Sequence, residues 1–109
     1  MASNPASTGP VPFSFEVEPG ADKIVVRCTG SLTSEHTHDF QLQVRPLVLQ
    51  TQHLQFDLSR VPYIDSSGLG TLVSLYTSAR AAHCELKLVG FNEQIRNLLH
   101  ITNLLWIFE

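Results

Sequence analysis

Between residues 54 and 81 the spacing of apolar side chains changes, and that change limits the folds open to this chain. In "LQFDLS", Leu54, Phe56 and Leu58 alternate with polar residues, the period of a strand with one buried face. From Leu69 the period is helical: Leu69, Leu72, Val73, Tyr76 and Ala79 form one stripe, with Thr71, Ser74, Ser78 and Arg80 largely off it. A strand running through a short turn into an amphipathic helix is half of a β-α-β unit, which needs a parallel sheet to complete it.

The flanking segments extend the pattern. "FSFEVE" alternates with Phe13, Phe15 and Val17 on one face, as expected of an edge strand. "PGAD" supplies a turn, and "KIVVRCTG" follows as a second, more continuously apolar strand, predicting a hairpin with a more deeply buried second arm. From Ser34 to about Gln50, Phe40, Val44, Leu47 and Val48 recur at helical spacing, with Thr33 or Ser34 as the expected cap. Pro46 predicts a kink or early end there, because it removes a backbone donor and clashes one turn back. "ELKLVGF" reads as a strand, and Asn92 caps a helix carrying Ile95, Leu98 and Leu99 that "TN" ends. "LLWIF" reads as a last short strand, with Trp106 packed near the chain end. The expected fold class is therefore α/β, with a mainly parallel sheet of about five strands, an N-terminal antiparallel hairpin and three or so helices.

With 109 residues, 43% of them hydrophobic, there is apolar material for one core. "MASNPASTGPVP" offers nothing to bury, so residues 1–12 are expected to be a disordered tail and 13–109 the domain. That segment lacks the cationic start and apolar run of a signal peptide, no apolar run approaches the ~18 residues that span a bilayer, and a cytoplasmic protein is expected. The formal net charge of -3 supplies no basic field for a nucleic-acid backbone or an anionic membrane. Cys28 and Cys84 have no metal-ligand spacing and lie in or beside apolar segments, which predicts two buried free thiols.

The turn "VPYIDSSGLGTL" is where chemistry is expected, since the crevice of an open α/β sheet lies beyond the carboxyl ends of its strands. Asp65 is a natural N-cap, accepting from the amide of Ser67 or Gly68. Gly68 and Gly70 each disfavour a helix by about 1 kcal/mol relative to alanine. Either they let the helix sit close on the sheet, or they leave a bare first turn that a second macromolecule can approach. Serine hydrolysis does not fit: Gly68 lies two residues after Ser66, but Ile64 stands where a nucleophile elbow needs glycine. Nothing pairs His36, His38, His53, His83 or His100 with a serine and a carboxylate. In "SEHTHD", Glu35, His36, His38 and Asp39 are possible metal ligands, but on a helix the two histidines point about 200° apart. "GLG" lacks the third glycine of a dinucleotide fingerprint. What remains for an exposed serine at a helix N-terminus is to receive a phosphate, which meets free amides and the positive end of the dipole.

The stretch "FDLSRVPYIDSSGLGTLVSLYTSAR" resembles the signature of STAS domains of the bacterial anti-sigma factor antagonist type, and "TGSLT" and "LKLVGFNEQIRNLLHITNLLWIF" extend the resemblance to most of the chain. It implies a STAS-type fold and a partner-switching role without catalysis or a cofactor. The antagonist binds an anti-sigma factor that is also a serine kinase, and phosphorylation of the first motif serine breaks the complex until a serine phosphatase restores it. Carried over by position, Ser66 is the phosphoacceptor, and Asp65, Ser66, Ser67, Gly68 and Leu69 form the docking turn. ATP belongs to the kinase. STAS domains also occur as nucleotide-binding or lipid-trafficking modules without a phosphorylation cycle, and that alternative stays open. Two departures stand out. Ser31 and Thr33 occupy an early loop where the family commonly carries Glu and Asp, and the chain stops at Glu109, so the family's final helix is expected to be absent.

Overall fold

The computed structural model describes residues 12–108; the tail expected over residues 1–12 lies, apart from Pro12, outside them. Strands β1 (Ser14–Pro19), β2 (Ile24–Thr29), β3 (His53–Arg60) and β4 (Glu85–Val89) form one sheet in the order β1-β2-β3-β4. The first pair is antiparallel, as a hairpin requires, and the other two are parallel. Helix α1 (Thr37–Val44), continued by a 3-10 turn at Arg45–Leu49, joins β2 to β3. Helix α2 (Ser66–Ala81) joins β3 to β4, and α3 (Glu93–Ile101) and α4 (Leu105–Phe108) follow. Pro46 occupies the start of the 3-10 turn, where its missing N–H leaves no bond unmade, and the regular helix ends just before it.

The helices cover one face of the sheet. Ile24, Val26 and Cys28 on β2, Leu54, Phe56 and Leu58 on β3, and Leu86 and Leu88 on β4 all point into the core. Phe40 of α1 stands edge-on to Phe13 and Phe15 at 5.3 and 5.1 Å between centroids and lies 5.7 Å from Phe56, so it fastens the edge hairpin to the central strands. The opposite face is polar. There Arg27 donates to Glu18 at 2.7 Å and to Asp57 at 2.8 Å, linking β1, β2 and β3. The backbone amide of Ser59, first, and Arg27, behind it, hold the Asp57 carboxyl below its usual range.

β2 is the more deeply buried arm of the hairpin, as expected. Several other expectations need correction. Neither Thr33 nor Ser34 caps α1, which starts later, at Thr37, behind His36 and without a side-chain cap. The stripe of α2 is rotated from the expected one. Gly68, Thr71, Leu72, Leu75 and Ala79 are buried, while Leu69, Val73 and Tyr76 flank them half-buried. "LLWIF" is not a strand, so the described sheet has four strands rather than five. Asn103 adopts a φ of 61°, and the Leu104 amide bonds back to the Leu99 carbonyl at 2.8 Å, which turns the chain into α4. That single helical turn lies against β4, seats Phe108 edge-on to Tyr76 at 5.6 Å, and leaves Trp106 70% exposed.

Both cysteines are free and buried, as expected. Burial, with the Asp57 charge as a lesser cause, pushes the Cys28 thiol up to about 12, so it stays protonated across the physiological range. In the native protein at pH 8, Cys28 should resist alkylation by iodoacetamide and react once guanidinium unfolds the chain; mass spectrometry of the labelled peptide reads this directly. Phe40→Ala should cost roughly 3–5 kcal/mol in denaturant unfolding, because it empties the junction of three aromatic contacts.

Candidate functional site

The segment from Val61 to Asp65 is fixed before α2 begins. Val61 and Ile64 are buried, and Ile64 pairs with Leu32 in an isolated parallel bridge. The Leu32 amide donates to the Tyr63 carbonyl at 3.1 Å, and the Asp65 amide donates to the Leu32 carbonyl at 3.3 Å. From the other side, the Asn92 side-chain amide donates to the Pro62 carbonyl at 3.1 Å, while its oxygen caps α3 by accepting from Ile95 at 2.9 Å. The loops after β2, β3 and β4 are thus tied to one another at the carboxyl ends of the parallel strands.

Asp65 is the N-cap of α2, as its residue type predicts, with an extended backbone at φ -95° and ψ -173°. Its Oδ1 accepts from the Gly68 amide at 2.8 Å. Its Oδ2 accepts from the Ser34 amide at 3.2 Å, a partner that no local pattern announces. One carboxylate therefore serves both the first turn of α2 and the β2–α1 loop. The Asp65 carbonyl accepts from Leu69 at 2.9 Å. The amides of Ser66 and Ser67 are left as the helix's free donors, and both serines are exposed.

The two glycines differ. A Cβ on Gly68 would collide with the Leu32 backbone carbonyl and press on Ile64 at 3.3 Å, so this residue is glycine because the helix rests on the β2–α1 loop. A Cβ on Gly70 would meet nothing within 4 Å. The close-packing reading holds for Gly68, and the bare-surface reading describes Gly70.

Beside Ser66 runs a groove of about 390 Å3 between the start of α2 and α3, lined by Tyr63, Ser66, Leu69, Leu98 and Ile101 among others. Tyr63 and Ile101 are 47% and 78% exposed, large apolar surfaces within reach of a protein docked on the serine turn. Of the five predicted turn residues, Asp65, Ser66 and Leu69 border this groove, Ser67 is exposed beside it, and Gly68 is buried beneath. Tyr63 and Ile101 are absent from the sequence-based set. Ile101 carries only the weak signal of an apolar residue outside the stripe of α3, and Tyr63, in the loop before α2, carries none. Elsewhere, His36 packs on Phe13 at 5.8 Å and His38 is not buried; no group of three His, Cys, Asp or Glu side chains among the described residues is placed to hold a metal ion. No helix among them is long and apolar enough to cross a membrane.

Comparison with known proteins places the whole domain. A family model described as STAS domain matches residues 13–109. A curated relative, the anti-sigma-B factor antagonist of Listeria monocytogenes, is 41% identical over 56 residues, 51% of this chain and 49% of that protein. The match thus spans about half the length of the relative. Among solved structures, the Thermotoga maritima protein TM1081 superposes with a TM-score of 0.77 at 27% identity, covering 87% of this chain and 83% of that one. The Bacillus cell fate determinant SpoIIAA in its phosphorylated form gives 0.71 at 17% identity, covering 88% and 89% respectively, a likeness of fold.

The glycine pair makes a direct test of the local geometry. Gly68→Ala should destabilise by roughly 1–3 kcal/mol, since the collision is with backbone that cannot rotate away. Gly70→Ala should stabilise by roughly 0.5–1 kcal/mol, since it adds helix propensity in open space. Urea unfolding of the two variants should shift the midpoint in opposite directions.

Proposed function

The chain belongs to the STAS domain family, and we propose that it acts there as an anti-sigma factor antagonist switched by phosphorylation at Ser66. In this reading the unmodified turn Asp65–Leu69, together with Tyr63 and Ile101, docks on an anti-sigma factor that is also a serine kinase. The kinase supplies ATP, and a serine phosphatase reverses the modification. The chain itself binds and is modified; it performs no chemistry.

The observation that carries this is the division of labour between Asp65 and Ser66. Asp65 fills the cap, so the neighbouring Ser66 hydroxyl is exposed and makes no hydrogen bond among the described residues. A kinase can reach it without opening the fold. The Ser66 and Ser67 amides and the helix dipole favour a phosphate at that point, so the domain tolerates it. A docked partner does not. Phosphate adds about -1.5 to -2 charges to a protein of net charge -3. One like-charge contact at 4 Å is worth about 1 kcal/mol in water and about 4 at a surface-like dielectric. That lowers affinity by roughly five- to a thousandfold. With Ser31 and Thr33 in the early loop, Asp65 is the carboxylate next to the acceptor, and its charge is committed to the Gly68 and Ser34 amides.

Incubation with ATP and the cognate kinase should place one phosphate on Ser66, located by mass spectrometry of the tryptic peptide; modification elsewhere, or none, counts against the switch. Ser66→Ala should bind the anti-sigma factor like the wild type and Ser66→Asp should bind at least about fivefold more weakly, both with native circular dichroism. Equal binding by the two variants removes the electrostatic mechanism. Gly70→Ala should weaken the same complex while raising the stability of the free chain, because the added methyl stands where the partner approaches.

A further inference from the structure

The outer side of α1 carries a second surface with no part in the Ser66 turn. Leu42 and Leu49 are 61% and 81% exposed, and beside them a groove of about 850 Å3 opens between α1, the 3-10 turn and the C-terminal part of α2. Pro46, Val48, Ala81 and Ala82 line it, and no acidic residue does, in a chain with more acids than bases.

Two charges on this side lack an opposite partner among the described residues. The Arg45 guanidinium reaches toward α2 and donates to the Ser74 hydroxyl at 3.2 Å, a neutral group that also accepts from Gln41 at 2.9 Å. The Asp39 carboxylate makes no hydrogen bond or ion pair among the described residues. Asp39, Leu42 and Arg45, the last of them the C-cap of α1, follow at intervals of three, so the acid and the base flank the leucine about 60° to either side. That arrangement is its own complement. If α1 lies antiparallel to the same helix of a second copy, with the two-fold axis beside Leu42, then Leu42 meets Leu42 and each Asp39 faces the Arg45 of the other chain.

We propose that this face is a self-association surface, whose occupant is a second copy of the chain in an isologous, two-fold contact. Other occupants fit less well. An added strand finds no free backbone edge on a helix, and an open groove does not enclose the tail of a small amphiphile as binding pockets do. Leu42 and Leu49 are the large apolar side chains exposed on this face, few for a stable interface, so the dimer is weak and reversible. The groove lies toward the far end of α2 from Ser66, about 18–22 Å along the helix, so both serine turns remain accessible in the dimer.

Sedimentation equilibrium from about 10 µM to about 1 mM tests this, a range that covers the weak end of reversible association. The wild type should rise from its chain mass of 12.1 kDa toward twice that value. Asp39→Lys alone and Arg45→Glu alone should each associate at least about tenfold more weakly, because each homodimer then sets like charges together. Mixing the two variants should restore association. Across that heterodimer the introduced lysine faces the introduced glutamate, and the unchanged Asp39 of one chain faces the unchanged Arg45 of the other. Both are surface positions, and circular dichroism checks that the variants fold. A wild type that stays monomeric throughout overturns the proposal, as does a dimer indifferent to the single substitutions or a mixture that does not recover.

Discussion

A single carboxylate holds the functional end of this domain together. Asp65 accepts from the Gly68 amide of its own helix and from the Ser34 amide of the loop after β2. With both oxygens engaged, the entry of α2 and the β2–α1 loop are fixed relative to each other. The Leu32 backbone, bonded to Tyr63 and Asp65, completes the clasp from beneath. An N-cap drawn from the serines themselves would satisfy the helix equally well, but it would consume the hydroxyl. Placing the acid at 65 frees the serine at 66.

The same clasp explains why the turn is rich in glycine. α2 approaches the β2–α1 loop so closely that position 68 has no room for a side chain. Gly70 answers no such demand: it is exposed, and a side chain there would meet only open space. Two glycines at positions 68 and 70 thus differ in kind: packing requires the first and not the second.

The hairpin, the parallel order, the break at Pro46 and the caps at Asp65 and Asn92 were legible because each rests on local physics: a period, a missing donor, a side-chain acceptor three residues from an amide. The features that local patterns miss share another origin. Apolar spacing alone centres the stripe of α2 near Leu69 and Val73, yet contact with Leu32 rotates the helix so that Thr71 and Leu75 face the core. "LLWIF" has the composition of a strand, but a left-handed residue at Asn103 and the seat for Phe108 beside Tyr76 make it a helical turn. The Ser34–Asp65 bond, 31 residues apart, has no local signature. The sequence thus marked the serine and its cap, while the surface around them, with Tyr63 and Ile101, needed the fold.

The scale of the energies decides what a modification at this turn can change. A domain of this size is held by about 5–15 kcal/mol, and losing an N-cap altogether costs about 1 kcal/mol. Phosphate beside an intact cap, facing free amides, perturbs folding by no more than a small part of that total. A micromolar complex is held by about 8 kcal/mol, and its contacts are concentrated at few residues. A repulsion of about 1–4 kcal/mol at the centre of such a contact removes up to half of the binding free energy while leaving the fold populated. In the proposed switch the same event is silent within the domain and acts only on the docked partner. That separation needs only a rigid helix end whose cap is already supplied by a neighbour, which is what Asp65 provides.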